Sequence, residues 1–210
     1  VLLLVTGSVA AIKTFEIAHL LAEDGGHTVR IVVTKHAQHF ISTLHDSHRE
    51  SFGADRFEII GDDQEWNSWK QRGDPVVHID LRKWADVAVI APLDANTLAK
   101  LSNGQCDNLL TCIMRAWPCG SKPVVIAPAM NDAMWEHPLT APQVDILRNI
   151  YQSKKVVHTT DSEAEKENEG SLYEQVGPVR KLLMCGEYGV GAMASPEDIV
   201  AAVHRVLDFA

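Results

Sequence analysis

Four short stretches of this 210-residue chain gather side chains able to handle a ligand or a proton. In PLDANT (92–97), Asp94, Asn96 and Thr97 follow an apolar, β-branched run and a proline, where a strand gives way to a helix. Such a corner, at the carboxyl end of a parallel strand, is where open α/β sheets hold ligands, because the new helix offers unpaired backbone N–H groups. Taken alone, the segment is more simply an N-capped helix with no ligand. Thr6-Gly7-Ser8 forms a second corner, a glycine turn with a hydroxyl leading into a helix. It suits a single phosphate as well as it suits a plain tight turn. Because it reads Gly-Ser-Val and not G-x-G-x-x-G, the dinucleotide fingerprint is absent. In PAMNDAMW (128–135), Asn131 follows a second Pro-terminated strand, so two such strands deliver an asparagine to one edge. His78, in HIDLRKWAD (78–86), is one of ten histidines and takes part in chemistry only with support from elsewhere.

These corners need a scaffold, and the apolar pattern supplies one. Residues 1–5, VLLLV, form the continuous apolar run of a strand buried on both faces, not a signal peptide, since no basic flank precedes it. The chain opens on this strand, so a trimmed upstream segment is expected. Ala11, Ile12, Phe15, Ala18 and Leu21 give residues 9–22 a helical stripe that ends at Asp24-Gly25-Gly26. Strands follow at 28–34, 87–91, 123–127 and 155–157, with helices at 36–44, 106–117 and 140–150. The strand at 87–91 is expected to stop at Pro92, which cannot donate to a ladder. Residues 46–63 read as an irregular surface excursion, with Trp66 and Trp69 anchoring that region to the body. Cys106 and Cys112 read as small core residues, and Thr140 as a helix cap. An acidic, apolar-poor stretch at about 160–176 reads as a disordered insertion, and a glycine-rich segment at about 178–194 as a mobile flap. Ser195-Pro196-Glu197-Asp198 is a strong start for a last helix striped by Val200, Val203 and Leu207. The result is one domain over 1–210, a three-layer α/β fold with a mostly parallel sheet.

Composition narrows the partners. A net charge of −9 argues against nucleic acid, which needs a basic face. Much of that charge is local: Asp161, Glu163, Glu165, Glu167 and Glu169 stand against a single Lys166. No apolar run reaches the length of a membrane span. Cys106, Cys112, Cys119 and Cys185 show neither CxxC nor zinc-ligand spacing, so no metal is expected and a reducing, intracellular setting is the natural one.

The ordered set GSVAA (7–11), HIDLRKWAD (78–86), PLDANT (92–97), CDNLLT (106–111), PAMNDAMW (128–135) and CGEYGVGAM (185–193) resembles the homo-oligomeric flavin-containing cysteine decarboxylase family, in its phosphopantothenoylcysteine decarboxylase branch. The resemblance covers most of the chain apart from roughly 46–63 and 160–176. It implies a flavodoxin-like three-layer fold, a cytoplasmic homotrimer and FMN bound where subunits meet. It places Gly7, Ser8 and Val9 in the first flavin-binding turn, Thr34 in the second, Asp94, Ala95, Asn96 and Thr97 in the motif after the fourth strand, and Ala129 just before the Met-Asn pair. His78 matches the active-site histidine, Cys185 the catalytic cysteine on the flap, and Asn131 and Met134 substrate-binding positions. Lys83 stands where many members carry an arginine beside the substrate, which keeps the charge but loses the bidentate fork. Asp94 stands where many carry serine.

The chemistry implied is FMN-dependent decarboxylation of 4′-phosphopantothenoylcysteine to 4′-phosphopantetheine, a step of coenzyme A synthesis. Loss of CO₂ from a cysteinyl carboxylate leaves a carbanion without an electron sink. Oxidising the thiol to a thioaldehyde provides one, and the resulting enethiol is then reduced again. A thiol with a pKa near ~8.5 calls for a base titrating near ~6.5, which fits His78. Asn131 orients the carboxylate without the ground-state stabilisation an arginine would give, and Cys185 donates a proton to the enethiolate carbon. Two other readings compete: a peptidyl-cysteine decarboxylase, and a non-catalytic FMN-binding regulatory subunit of a protein phosphatase using the acidic segment. Joint retention of His78, Asn131 and Cys185 favours catalysis.

Overall fold

A computed structural model of the chain describes residues 1–23, 25–152, 171–182 and 188–210. The apolar opening run forms β1 (Leu2–Val5), followed by a 3-10 turn (Val9–Lys13) and α1 (Thr14–Glu23). β2 (Arg30–Val33) leads into α2 (Lys35–Ser42). Residues 46–63, expected to be irregular, instead fold into α3 (Asp46–Ser51), a short 3-10 turn, β3 (Glu58–Ile60) and the start of α4 (Asp62–Ser68). Phe57 and Ile60 are buried there, and that anchoring overrides a polar local composition.

The chain continues through α5 (Val77–Trp84), β4 (Ala88–Leu93), α6 (Ala95–Ser102) and α7 (Leu109–Arg115). β4 does not stop at Pro92 but runs one residue past it, with its pairing to the next strand shifting between Ile90 and Leu93. β5 (Val124–Pro128), α8 (Asp132–Trp135) and α9 (Thr140–Tyr151) come next. Thr140 is the first helical residue of α9 and not its cap; its hydroxyl donates to the Met134 carbonyl. The end of the stretch expected to be disordered forms β6 (Tyr173–Gln175), where Leu172 and Tyr173 are buried at the sheet edge. Residues 160–170 and the strand expected at 155–157 lie outside the described residues. β7 (Val179–Leu182), β8 (Tyr188–Ala192) and α10 (Pro196–Phe209) complete the chain.

The six-stranded sheet has the order β3-β2-β1-β4-β5-β6, and every neighbouring pair is parallel. β7 and β8 form a separate antiparallel hairpin. Alternation along the strands feeds two cores. Leu3, Val5, Ile31, Val33, Val89 and Val125 face α1 and α10. Leu2, Leu4, Val32, Ile90, Val124 and Ile126 face the helices α5, α6, α7 and α9. Both faces being covered explains the unbroken apolar strands, and the fold is the expected three-layer α/β, flavodoxin-like architecture. Strand order reverses beside β1, so the carboxyl ends of β1 and β4 flank the switch point where such sheets open a crevice. Among the described residues no helix is long and apolar enough to cross a membrane.

Candidate functional site

The crevice is held open by one buried hydroxyl. Thr6, at the end of β1, donates through Oγ1 to the Pro92 carbonyl (2.8 Å) and accepts from the Asp94 N–H (2.8 Å). Its own N–H also donates to Pro92 O. The two loops at the switch point are therefore locked in register by a residue that gave no signal of its own in the sequence beyond preceding a glycine. Gly7 is forced by packing: a Cβ there would lie 2.6 Å from His36 Cβ and 3.4 Å from an Asp94 carboxylate oxygen. The loops after β1, β2 and β4 thus meet at one point.

The polar side chains at that point cap helices. Ser8 accepts from the Ala10 N–H, Thr34 from the Ala37 N–H (3.2 Å) and Asp94 from the Thr97 N–H (2.7 Å). Asn108 does the same for α7 through the Thr111 N–H (2.8 Å). The capped-helix reading is correct, and a cleft is present as well. Thr34, Asp94, Asn96 and Thr97 line a cavity of about 180 Å³ together with Lys35, Asp62 and the N-terminus of α7. A wider depression of about 650 Å³ adjoins it, sharing Lys35 and Asp62. Lys100 at the rim pairs with Asp107 (2.7 Å), and this hydrogen bond holds the Asp107 carboxyl below its usual range. Asp62 accepts from the Leu109 N–H (2.8 Å) and so ties α4 to α7.

The structure places the remaining predicted residues in different ways. Ala129 is buried, and its N–H donates to the Leu93 carbonyl (2.9 Å), tying the end of β5 to that of β4. Asn131 caps α8 through the Met134 N–H (2.9 Å), on an exposed loop, and Met134 is 51% exposed. Ala95 opens α6, and Val9 is exposed at the start of the first 3-10 turn. His78 sits in the first turn of α5, where Glu65 of α4 accepts from its ring Nδ1 and from its backbone N–H. Lys83, near the other end of α5, is exposed, and its carbonyl accepts from Lys122 Nζ just before β5. Asn131 follows the far end of the same strand. Five residues of strand, roughly 16 Å, separate the two edges. Lys83 and Asn131 thus stand beside opposite edges of the sheet. Cys185 lies outside the described residues.

Several features differ from expectation. Trp66 and Trp69 do not anchor α4 to the body; they are 76% and 55% exposed. Cys106 is exposed, while Cys112 is partly buried with its thiol pushed up to about 11, chiefly by burial. The glycines of β8 serve close packing as much as freedom. A Cβ at Gly191 would collide with the Met130 carbonyl oxygen; the Met130 N–H donates to the Gly191 carbonyl, and Asp132 accepts from the Gly191 N–H. Asp62 and Glu65 carry no signal in the sequence, because the helix that holds them, DDQEWNS, is polar at nearly every position.

Comparison with known proteins agrees with this geometry. Residues 1–208 match the Flavoprotein family model. Phosphopantothenoylcysteine decarboxylase of Mus musculus is 44% identical over 207 residues, covering 99% of this chain and 86% of that protein. A solved cysteine-to-serine variant of PPC decarboxylase in complex with pantothenoylaminoethenethiol superposes with a TM-score of 0.80 at 40% identity, covering 99% of this chain and 97% of that one. The FMN binding protein AtHal3 gives 0.77 at 41% identity, over 100% of this chain and 96% of its own. By fold, switch-point cleft and sequence together, this chain belongs to the flavoprotein family of the phosphopantothenoylcysteine decarboxylases.

Proposed function

We propose that the chain is an FMN-dependent carboxy-lyase that converts 4′-phosphopantothenoylcysteine to 4′-phosphopantetheine. The observation that carries this reading is the convergence of the capped starts of α2, α6 and α7 on one cleft beside a glycine that admits no side chain. Helix N-termini present unpaired N–H groups and a positive dipole end, which suits a phosphate-bearing cofactor. Gly7, Ser8, Val9, Thr34, Asp94, Ala95, Asn96, Thr97 and Ala129 are the residues we assign to hold it. FMN bound there supplies a reversible hydride acceptor, so oxidation and later reduction of the substrate leave no net redox change.

The chain's own groups do the rest. His78 takes the substrate thiol proton, giving the thiolate from which a hydride departs. Asn131, an uncharged donor, orients the carboxylate without stabilising it as strongly as a cation would, which favours loss of CO₂. Met134 offers an apolar contact, and Lys83 a charge for an acidic substrate. Cys185 returns a proton to the enethiolate carbon. The relative solved with a cysteine replaced by serine is bound to an aminoethenethiol, the type of product at which a chain lacking that proton donor would halt. The exposure of Asn131 and Met134, and the place of Lys83 beside the opposite edge of the sheet, support a site completed by a second copy within a homotrimer. The setting we assign is the cytoplasm.

Mass spectrometry of 4′-phosphopantothenoylcysteine incubated with the FMN-loaded protein tests the reading. Loss of one CO₂ to a stable thiol is expected, and Cys185→Ser should stop at the enethiol. Unchanged substrate with flavin bound would overturn the reading in favour of a peptide substrate or a regulatory subunit.

A further inference from the structure

His78 enters α5 at a position that its own segment leaves incomplete. The residue before the helix is Val76, whose side chain can cap nothing, so the first N–H groups of α5 need a partner from elsewhere. Glu65 provides it from α4, thirteen residues earlier. One carboxylate oxygen accepts from the His78 backbone N–H at 2.9 Å, and the other lies 2.5 Å from His78 Nδ1. The Glu65 side chain is only 12% exposed, and that of His78 23%. α4 is itself fixed at its start, because Asp62 accepts from the Leu109 N–H and the Gly61 N–H donates to Gln64.

We propose that Glu65 is the positioning residue of His78, clamping its backbone and ring together so that Nδ1 carries the hydrogen and Nε2 presents its lone pair as the base. The proposal rests on the reading of His78 as the base in the decarboxylation above. It follows from donor and acceptor inventory. A carboxylate accepts and does not donate, so the ring nitrogen facing it must be the N–H, which in a neutral imidazole leaves Nε2 unprotonated. The second oxygen is already committed to the backbone N–H, so the carboxylate cannot swing away without orphaning a helix-start donor. A glutamine in its place has one acceptor and one donor end. With its oxygen on the backbone N–H, its NH₂ faces Nδ1 and demands the opposite tautomer, with the hydrogen on Nε2. Reversing a tautomer in this way costs a general base about 10⁴ in kcat where it has been measured in a serine protease.

The experiment compares wild type, Glu65→Gln and Glu65→Asp as FMN-loaded proteins. Nitrogen-15 spectra of histidine-labelled protein, with His78→Asn identifying the resonance, report the tautomer directly. The expected results are Nδ1–H in wild type, Nε2–H in Glu65→Gln, and an intermediate or mixed signal in Glu65→Asp, whose shorter arm reaches less well. Steady-state turnover should show kcat falling at least about 100-fold in Glu65→Gln with KM little changed, and Glu65→Asp recovering part of it. A wild-type ring protonated on Nε2, or the same tautomer in wild type and Glu65→Gln, would overturn the proposal. A reversed tautomer with unchanged kcat would overturn it equally. If wild type fails to turn over the substrate at all, the decarboxylase reading fails while the spectra still decide what Glu65 does to His78.

Discussion

The switch-point cleft and the α4–α5 corner are built on opposite plans. In the cleft, the polar groups at the helix starts are held by bonds spanning two or three residues: Ser8 to Ala10, Thr34 to Ala37, Asp94 to Thr97. Each loop assembles its own ligand-facing surface, and two longer links set the elements side by side: Thr6 reaches the loop after β4 over 88 residues, and Asp62 reaches the start of α7 over 47. At the corner, the candidate base has no local support, and its orientation comes from a glutamate on another helix. Binding surfaces made of backbone N–H groups can be built locally, because any capped helix start presents them. A base needs one particular nitrogen aimed at one place, and that takes a second element.

Removing the base should give the largest effect. His78→Asn keeps a polar side chain of similar reach at the α5 start but has no titratable nitrogen. We expect CO₂ release to fall by about 10²–10⁴-fold with flavin still bound, measured as turnover against flavin absorbance. Retained flavin with lost turnover would show that the two regions do separate jobs. Loss of both would show that they are one structural unit and would break the comparison.

Gly7→Val attacks the cleft instead. Its side chain would begin 2.6 Å from His36 Cβ, so the loop after β1 must move away from the loops after β2 and β4. The expected outcome is a folded protein purified without its yellow colour, with FMN affinity reduced by about 10-fold or more. Wild-type flavin content in this variant would mean that the cofactor does not sit against this turn.

Thr6→Val tests the bonds by which the end of β1 holds the loop after β4. Valine matches the shape but leaves the Asp94 N–H without its acceptor and takes one donor from the Pro92 carbonyl. With the Thr6 hydroxyl buried and the Asp94 N–H partly so, the loss is about 1–3 kcal/mol. Urea denaturation should show a lower midpoint at unchanged slope, with flavin binding weakened less than in Gly7→Val.

The contrast also governs what the sequence could reveal. Strands with both faces covered are continuous apolar runs, so β1, β4 and β5 were plain in VLLLV, VAVIA and PVVIA. The cleft was readable because caps obey i to i+3 spacing, which leaves Asp94-x-x-Thr97 in the sequence. β3 and α4 were not readable. EII is too short to show a period, and DDQEWNS is polar on nearly every position, so only the burial of Phe57 and Ile60 commits the segment to the sheet edge. Without α4, Glu65 has no place, and the sequence makes the tryptophans beside it anchors to the body, whereas both are exposed. β6 was hidden for a related reason: Tyr173-Glu174-Gln175 adjoins an acidic stretch, and its strand state is imposed by β5.

The smallest expected effect lies far from both regions and gives a baseline for them. His27, after α1, faces His204 of α10 with ring centroids 5.4 Å apart. Nε2 of each ring is buried with no hydrogen-bond partner among the described residues. Burial, with the charge of His204 and of the terminal amine adding to it, holds His27 below its ordinary value of 6.5. The folded state thus resists a proton that the unfolded chain accepts as pH falls through about 6.5, so stability is full above that pH and declines below it. His27→Gln should flatten the acid side of a plot of Tm against pH between 7 and 5, a smaller change in unfolding free energy than that expected of Thr6→Val, while the neutral-pH value and flavin content stay as in wild type. An unchanged slope would place the acid sensitivity in other groups. A change in flavin content would mean that the α1–α10 face is coupled to the cleft, and that the division between locally built binding and remotely aimed catalysis does not extend through the sheet.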